Sequence, residues 1–266
     1  MNELDWVQAR SASIDTFGLD RRTMLSSGLA VMSLALLGCE VAPAAPKVRM
    51  AARDWIERQG ELARALRTGE ISPLVWMDEV AGLAGEIEIA ELMAELDHAQ
   101  VQRQAIPVTN DPRKSSIRFL DEHGEPRKLG FASALFAFEP HNVITPHGHR
   151  FMASSHLVVD GRLRVRNFDR FDDDGDAMII LPTRDYVART GDLSAMSPDS
   201  DNIHWFVPEG GKAMTFDVIV SGIEDGMPDY DIEAVDPLAG ELLADGRIRA
   251  PKIGFEAASD KYTARV

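Results

Sequence analysis

Between Pro107 and Gly222 the chain reads as short apolar or alternating runs, each cut off by turn-forming residues, and this texture constrains the fold more than any other feature. The runs are Phe131–Phe138, His156–Val165, Met178–Leu181, Ile203–Val207 and Met214–Val220. Between them stand His123-Gly124-Glu125-Pro126, Asp160-Gly161, Asp172–Gly175, Ser197-Pro198 and Pro208–Gly211. Alternation puts successive side chains on opposite faces of a strand, and Gly, Pro and Asp supply the backbone conformations that turns need. No long helical pattern intervenes, so the strands are expected to pair antiparallel, as a barrel or sandwich. The tail, residues 223–266, is acidic and punctuated by Pro and Gly, and is expected to pack on the barrel.

The preceding segment, residues 47–106, has a different period. Trp55, Ile56, Leu62, Ala63 and Leu66 recur at three- and four-residue spacing, as do Ile87, Ile89, Leu92, Met93 and Leu96. That is the pattern of helices with one apolar face, and Ser72-Pro73 reads as an N-cap followed by Pro at the first helical position. His98 is expected on a solvent-facing helix surface.

Charge and cysteine content narrow the function classes. A formal charge of −15 opposes nucleic-acid binding, which requires clustered outward-facing Lys and Arg. The single cysteine, Cys39, excludes an internal disulfide. It closes the run Leu36-Leu37-Gly38-Cys39, after an apolar stretch that begins at Gly28 and is preceded by Arg21-Arg22. This layout resembles a bacterial twin-arginine signal joined to a lipobox. The resemblance implies a signal peptide over 1–38, lipidation of Cys39, a tether over 39–46, and a protein anchored on the periplasmic side of the envelope by lipid alone.

The chemistry is concentrated in His147-Gly148-His149, followed by Ser154, His156 and Gly161. In an extended segment His147 and His149 point the same way, so both imidazoles can reach one metal ion. The spacing resembles the first motif of the cupin superfamily, with His141 at the opening Gly position and Ser154 where a glutamate ligand would stand. The resemblance implies a cupin-type antiparallel β-barrel, a double-stranded β-helix, with His204 as a third ligand. In the second motif, however, Asp201 stands at the Gly position and Pro208 at the Asn position. A three-histidine set without a carboxylate is similar to that of the thiol dioxygenase branch, which implies Fe(II), or another divalent transition metal, and a small-molecule substrate such as a thiol. His156 is expected beside the ligands as a hydrogen-bond partner or proton carrier, and Tyr186 as a residue that orients substrate or oxygen. Barrels of this kind often pair, so a homodimer is one expectation.

Two other functions fit the same residues. One is a non-catalytic envelope lipoprotein that binds a metal or small molecule, and the other is a metal-free structural barrel. Elsewhere, Asp172–Asp176 lacks the regular spacing of a calcium loop and reads as a solvated acidic turn. His123 and His141 read as turn residues, and Arg150, Arg164 and Arg166 as candidate anchors for a substrate carboxylate.

Overall fold

In the computed structural model, residues 49–103, 110–228 and 231–263 are described. Residues 1–46, where an export signal, a lipidated Cys39 and a tether are expected, lie outside them. The periodic segment forms helices α1 (Ala52–Arg67), α2 (Pro73–Ala84) and α3 (Ile89–Glu95). Ser72 caps α2, its hydroxyl accepting from Val75 N at 3.3 Å, with Pro73 filling a position whose N–H has no helical partner. Within the segment read as helical, residues 47–106, the described residues leave the α-helix after Glu95. A single 3-10 turn, Leu96–His98, leads into strand β1 (Ala99–Arg103), whose register is set by pairing with β2 (Arg113–Phe119) rather than by its own largely exposed side chains. His98 is exposed, as expected.

The strands that follow are β3 (Ala132–Phe138), β4 (Ile144–Arg150), β5 (Met152–Asp160), β6 (Arg162–Asp174), β7 (Ala177–Arg189), β8 (Leu193–Met196), β9 (Ile203–Pro208) and β10 (Ala213–Ser221). They lie in two sheets, ordered β1-β2-β3-β10-β5-β8 and β11-β4-β9-β6-β7-β13-β12, with every pairing antiparallel. Strands β11 (Asp231–Ala234), β12 (Glu241–Leu242) and β13 (Ile248–Pro251) belong to the C-terminal extension. The pairing is nested: β3 with β10, β4 with β9, β5 with β8 and β6 with β7. A long antiparallel ribbon rolled up in this way is a double-stranded β-helix, the cupin-type barrel, here preceded by helices.

At the β5–β6 turn, Gly161 has φ +74°, and a Cβ there would lie 2.2 Å from the Lys212 carbonyl oxygen, so only glycine allows β10 to pass so close. The helices cover the outer face of the six-stranded sheet. Leu157 and Val159 of β5 and Phe216 and Val218 of β10 face them in one cluster, with the Trp55 and Phe216 ring centroids 6.1 Å apart. Burying Trp55 contributes about 2–3 kcal/mol. Because β5 is covered on both faces, eight consecutive residues, Met152–Val159, are buried.

The alternate residues of β5 and β10 face the barrel interior. Phe138, Val158, Leu163, Val165 and Phe206 form an apolar plug there. The extension adds β11 beside β4 and β13 beside β7, then helix α4 (Phe255–Thr263). Tyr262 of α4 packs edge-on against Trp205, and its hydroxyl donates to Asp236 at 2.8 Å.

Candidate metal centre

Strand β4 presents Thr145, His147 and His149 to the barrel interior. Gly148 faces the other way, and a Cβ there would lie 3.0 Å from Ile203 Cγ1, so glycine lets β9 close on β4. That closure sets His204 directly opposite His147 in the register. Ring centroids are 4.6 Å apart for His147 and His149, 4.5 Å for His147 and His204, and 5.0 Å for His149 and His204. One ring nitrogen from each lies within 4.8 Å of the others.

Asp201, at the glycine position of the second motif, adopts φ +54°. This is the left-handed region that a glycine would supply and that aspartate tolerates better than most residues. The departure from the motif therefore preserves the backbone turn. Its carboxylate accepts from Thr183 Oγ1 at 2.5 Å and pairs with Arg184 at 3.0 Å.

Electrostatics suit a metal. Burial pushes the His147 imidazole down to about 4, against a smaller opposing effect of its Nδ1 contact with the Thr145 carbonyl oxygen at 2.7 Å. His149 and His204 are pushed well below the usual imidazole range, chiefly by burial and then by the neighbouring rings. All three are neutral near pH 7, the form in which imidazole binds metals. Thr145 engages Nδ1 of His147 and leaves Nε2 for the cluster. Nε2 of His149 is buried without a hydrogen-bond partner, a cost of about 1–3 kcal/mol that a metal bond would remove. The donor set thus fits a divalent transition metal held by imidazole.

His156 projects from β5 into the same space, its ring 4.8 Å from that of His204. Its Nδ1 lies 2.7 Å from Asp217 Oδ2 and its Nε2 lies 3.0 Å from Ser154 Oγ. The Asp217 carboxylate can only accept, so Nδ1 carries the proton, and in the neutral ring Nε2 accepts from the Ser154 hydroxyl. Both ring nitrogens are engaged, which leaves neither for a metal. Ser154, at the glutamate position, puts a hydroxyl on the cavity wall instead of a carboxylate ligand.

The four histidines line a cavity of about 270 Å³ whose other walls include Phe136, Ile144, Met152 and Ile219. At its mouth stand Asp111 and Phe255, the latter exposed and 5.7 Å from the His147 ring. Asn110 N donates to Ser259 Oγ at 3.0 Å, and the Ser259 hydroxyl lies 3.3 Å from Asp111 Oδ1. These contacts join the loop before β2 to α4.

Several sequence expectations fall elsewhere. Tyr186 packs among the apolar side chains of the barrel plug and does not line the cavity, so it is not placed to touch a ligand held there. None of Arg150, Arg164 and Arg166 lines the cavity either. Arg150 pairs with Asp231 and Glu233, Arg164 with Asp185, and Arg166 lies 4.1 Å over the Trp205 ring. The acidic turn is more than solvated, because Asp173 pairs with Arg170 and Lys252, and Asp174 with Arg249. His123 and His141 are exposed in turns. Asp217, Asp111 and Phe255 were not anticipated as cavity residues. Asp217 carried a signal, a lone acid on the inward phase of an otherwise apolar strand, whereas the other two are brought in by loop and helix packing.

No family model matches the chain, and no curated protein matches it. Among solved structures it is similar to procruciferin, an 11S globulin from Brassica napus, with 14% identity and a TM-score of 0.33, over 56% of this chain and 32% of that one. It is also similar to KdgF from Halomonas sp., with 14% identity and a TM-score of 0.31, over 44% of this chain and 84% of that one. A third is an uncharacterized double-stranded β-helix protein from Klebsiella pneumoniae, with 14% identity and a TM-score of 0.31, over 48% and 89%. The chain spans about a third of the length of the globulin it matches. The assignment as a cupin-type barrel with a three-histidine cluster rests on the strand order and ring geometry described above.

Proposed function

We propose that this protein is an exported, lipid-anchored cupin in which His147, His149 and His204 hold Fe(II), and that it acts on a small molecule as a non-haem dioxygenase. The carrying observation is the meeting of three neutral imidazoles, His204 buried and the other two largely so, in a cavity where Ser154 replaces the carboxylate ligand. Bound Fe(II) with three protein ligands supplies open positions for substrate and dioxygen. The residues of the chain do the rest. Thr145 orients His147, apolar walls exclude water, and the Asp217–His156–Ser154 chain holds a proton at Ser154 Oγ, on the cavity wall. A thiol substrate is what the ligand set's resemblance implies. Export and lipidation are supported by the sequence pattern around Arg21, Arg22 and Cys39.

A second reading, a non-catalytic binding module of the envelope, is favoured by Pro208 at the second motif's Asn position. Elemental analysis separates these readings, using protein purified without chelators or affinity metals beside a His147→Ala/His149→Ala variant. About one iron per chain that the variant lacks, with oxygen consumption on some small molecule, supports the enzyme. Metal without turnover supports the binding module, and no metal in either protein refutes both metal-based readings.

A further inference from the structure

The charge lining of the cavity is one-sided. Two carboxylates face it, Asp111 at the mouth and Asp217 within, and no Lys or Arg lines it among the described residues. Asp217 is buried; its Oδ2 is engaged by His156, while its Oδ1 has no hydrogen-bond partner. A buried acceptor left open costs free energy that a ligand donor would recover. Asp111 is half-buried and its Oδ1 accepts from the Ser259 hydroxyl at 3.3 Å. Between the carboxylates the wall is mainly hydrocarbon, and the cavity is smaller than those that hold drug-sized ligands. An anionic group entering past Asp111 would be repelled and would find no arginine fork to replace its hydration. An ammonium group would find a counter-ion already in place.

Resting on the reading of this cavity as the ligand site, we infer that it takes a small molecule with an apolar body and a protonated amine, and that Asp111 at the mouth is the specificity-determining residue that holds the amine. A bound metal would favour an electron-rich donor at the inner end, so the ligand carries its donor and its ammonium at opposite ends. Free carboxylic acids without an amine are excluded as ligands of the outer end.

The test uses the full chain in metal-free and metal-loaded forms, with three probes of matched shape, butylammonium, butan-1-ol and butyrate, titrated by NMR. The metal-free form isolates Asp111 from coordination. There butylammonium should bind roughly tenfold or more tighter than butan-1-ol, the scale of one charge-assisted hydrogen bond, with butyrate weakest. Asp111→Asn, which keeps the shape and the acceptor for Ser259, should bring butylammonium to the level of the alcohol. Glu122→Gln, which removes an exposed charge on the turn between β2 and β3, should leave the preference intact. Equal or tighter binding of butyrate in the metal-free form, an unchanged preference in Asp111→Asn, or no binding of any probe overturns the inference. Metal content is read separately. An amine preference in a protein that takes up no metal refutes the metal reading alone, and metal uptake without the preference refutes this inference alone.

Discussion

Acid should destabilise the metal-free protein through its three ligand histidines, and by an amount that follows from burial. An unfolded imidazole has its pKa at 6.5, whereas in the fold His147 lies at about 4 and His149 and His204 are pushed well below 6.5. Lowered folded-state values mean that the unfolded state binds more protons, so stability falls as pH drops below 6.5 and is unaffected above it. At pH 5 about 97% of an unfolded imidazole is protonated, and each ring kept neutral by the fold therefore costs about 2 kcal/mol. For His147 this is about 1 kcal/mol at pH 6 and about 2 kcal/mol at pH 5, and His149 and His204 add to it in the same direction, against a typical domain stability of about 5–15 kcal/mol. Carboxylates held down by arginines, such as Asp185, titrate at lower pH and add little in this window. Urea unfolding of the metal-free protein at pH 7.5, 6 and 5 measures the effect, with a His147→Asn/His149→Asn/His204→Asn variant as the reference. The metal-free wild type should lose about 2 kcal/mol or more beyond the loss of the variant over that range. A loss no greater than that of the variant would refute the burial argument.

Three further outcomes separate scaffold from site. Trp55→Ala opens a cavity between α1 and β10 and should cost about 3–5 kcal/mol in urea unfolding while leaving metal stoichiometry unchanged. His149→Ala removes a ligand and should abolish metal binding, whereas His156→Leu, which removes a ring whose nitrogens bond Asp217 and Ser154 rather than a ligand, should leave metal stoichiometry intact by elemental analysis; complete loss in both would reject the division of roles. In cells, Cys39→Ala should move the protein from the membrane to the soluble fraction with its metal content intact, and retention in the membrane fraction would contradict lipidation.

Local periodicity was enough for the helices and for half of the site. The three- and four-residue spacing through Trp55 and Leu66 defined a buried helical face, and the two-residue spacing of His147 and His149 placed both rings on one side of a strand, because each period is a property of a few consecutive residues. The spacing to Gly161 anticipated a turn that only glycine can make. Strand partners were not legible in that way. Ala99–Arg103 becomes a strand because β2 offers it a free edge, and the Asp217–His156 contact exists because β10 lies beside β5 after the ribbon has rolled up. The mouth of the cavity is further still from the sequence, since Asp111 and Phe255 are 144 positions apart and meet through loop and helix contacts that have no period. Which side chains share a face is decided within a strand. Which faces enclose a cavity is decided by pairing and burial across the whole barrel, and in this protein that is where the charge lining, and with it the inferred choice of ligand, was set.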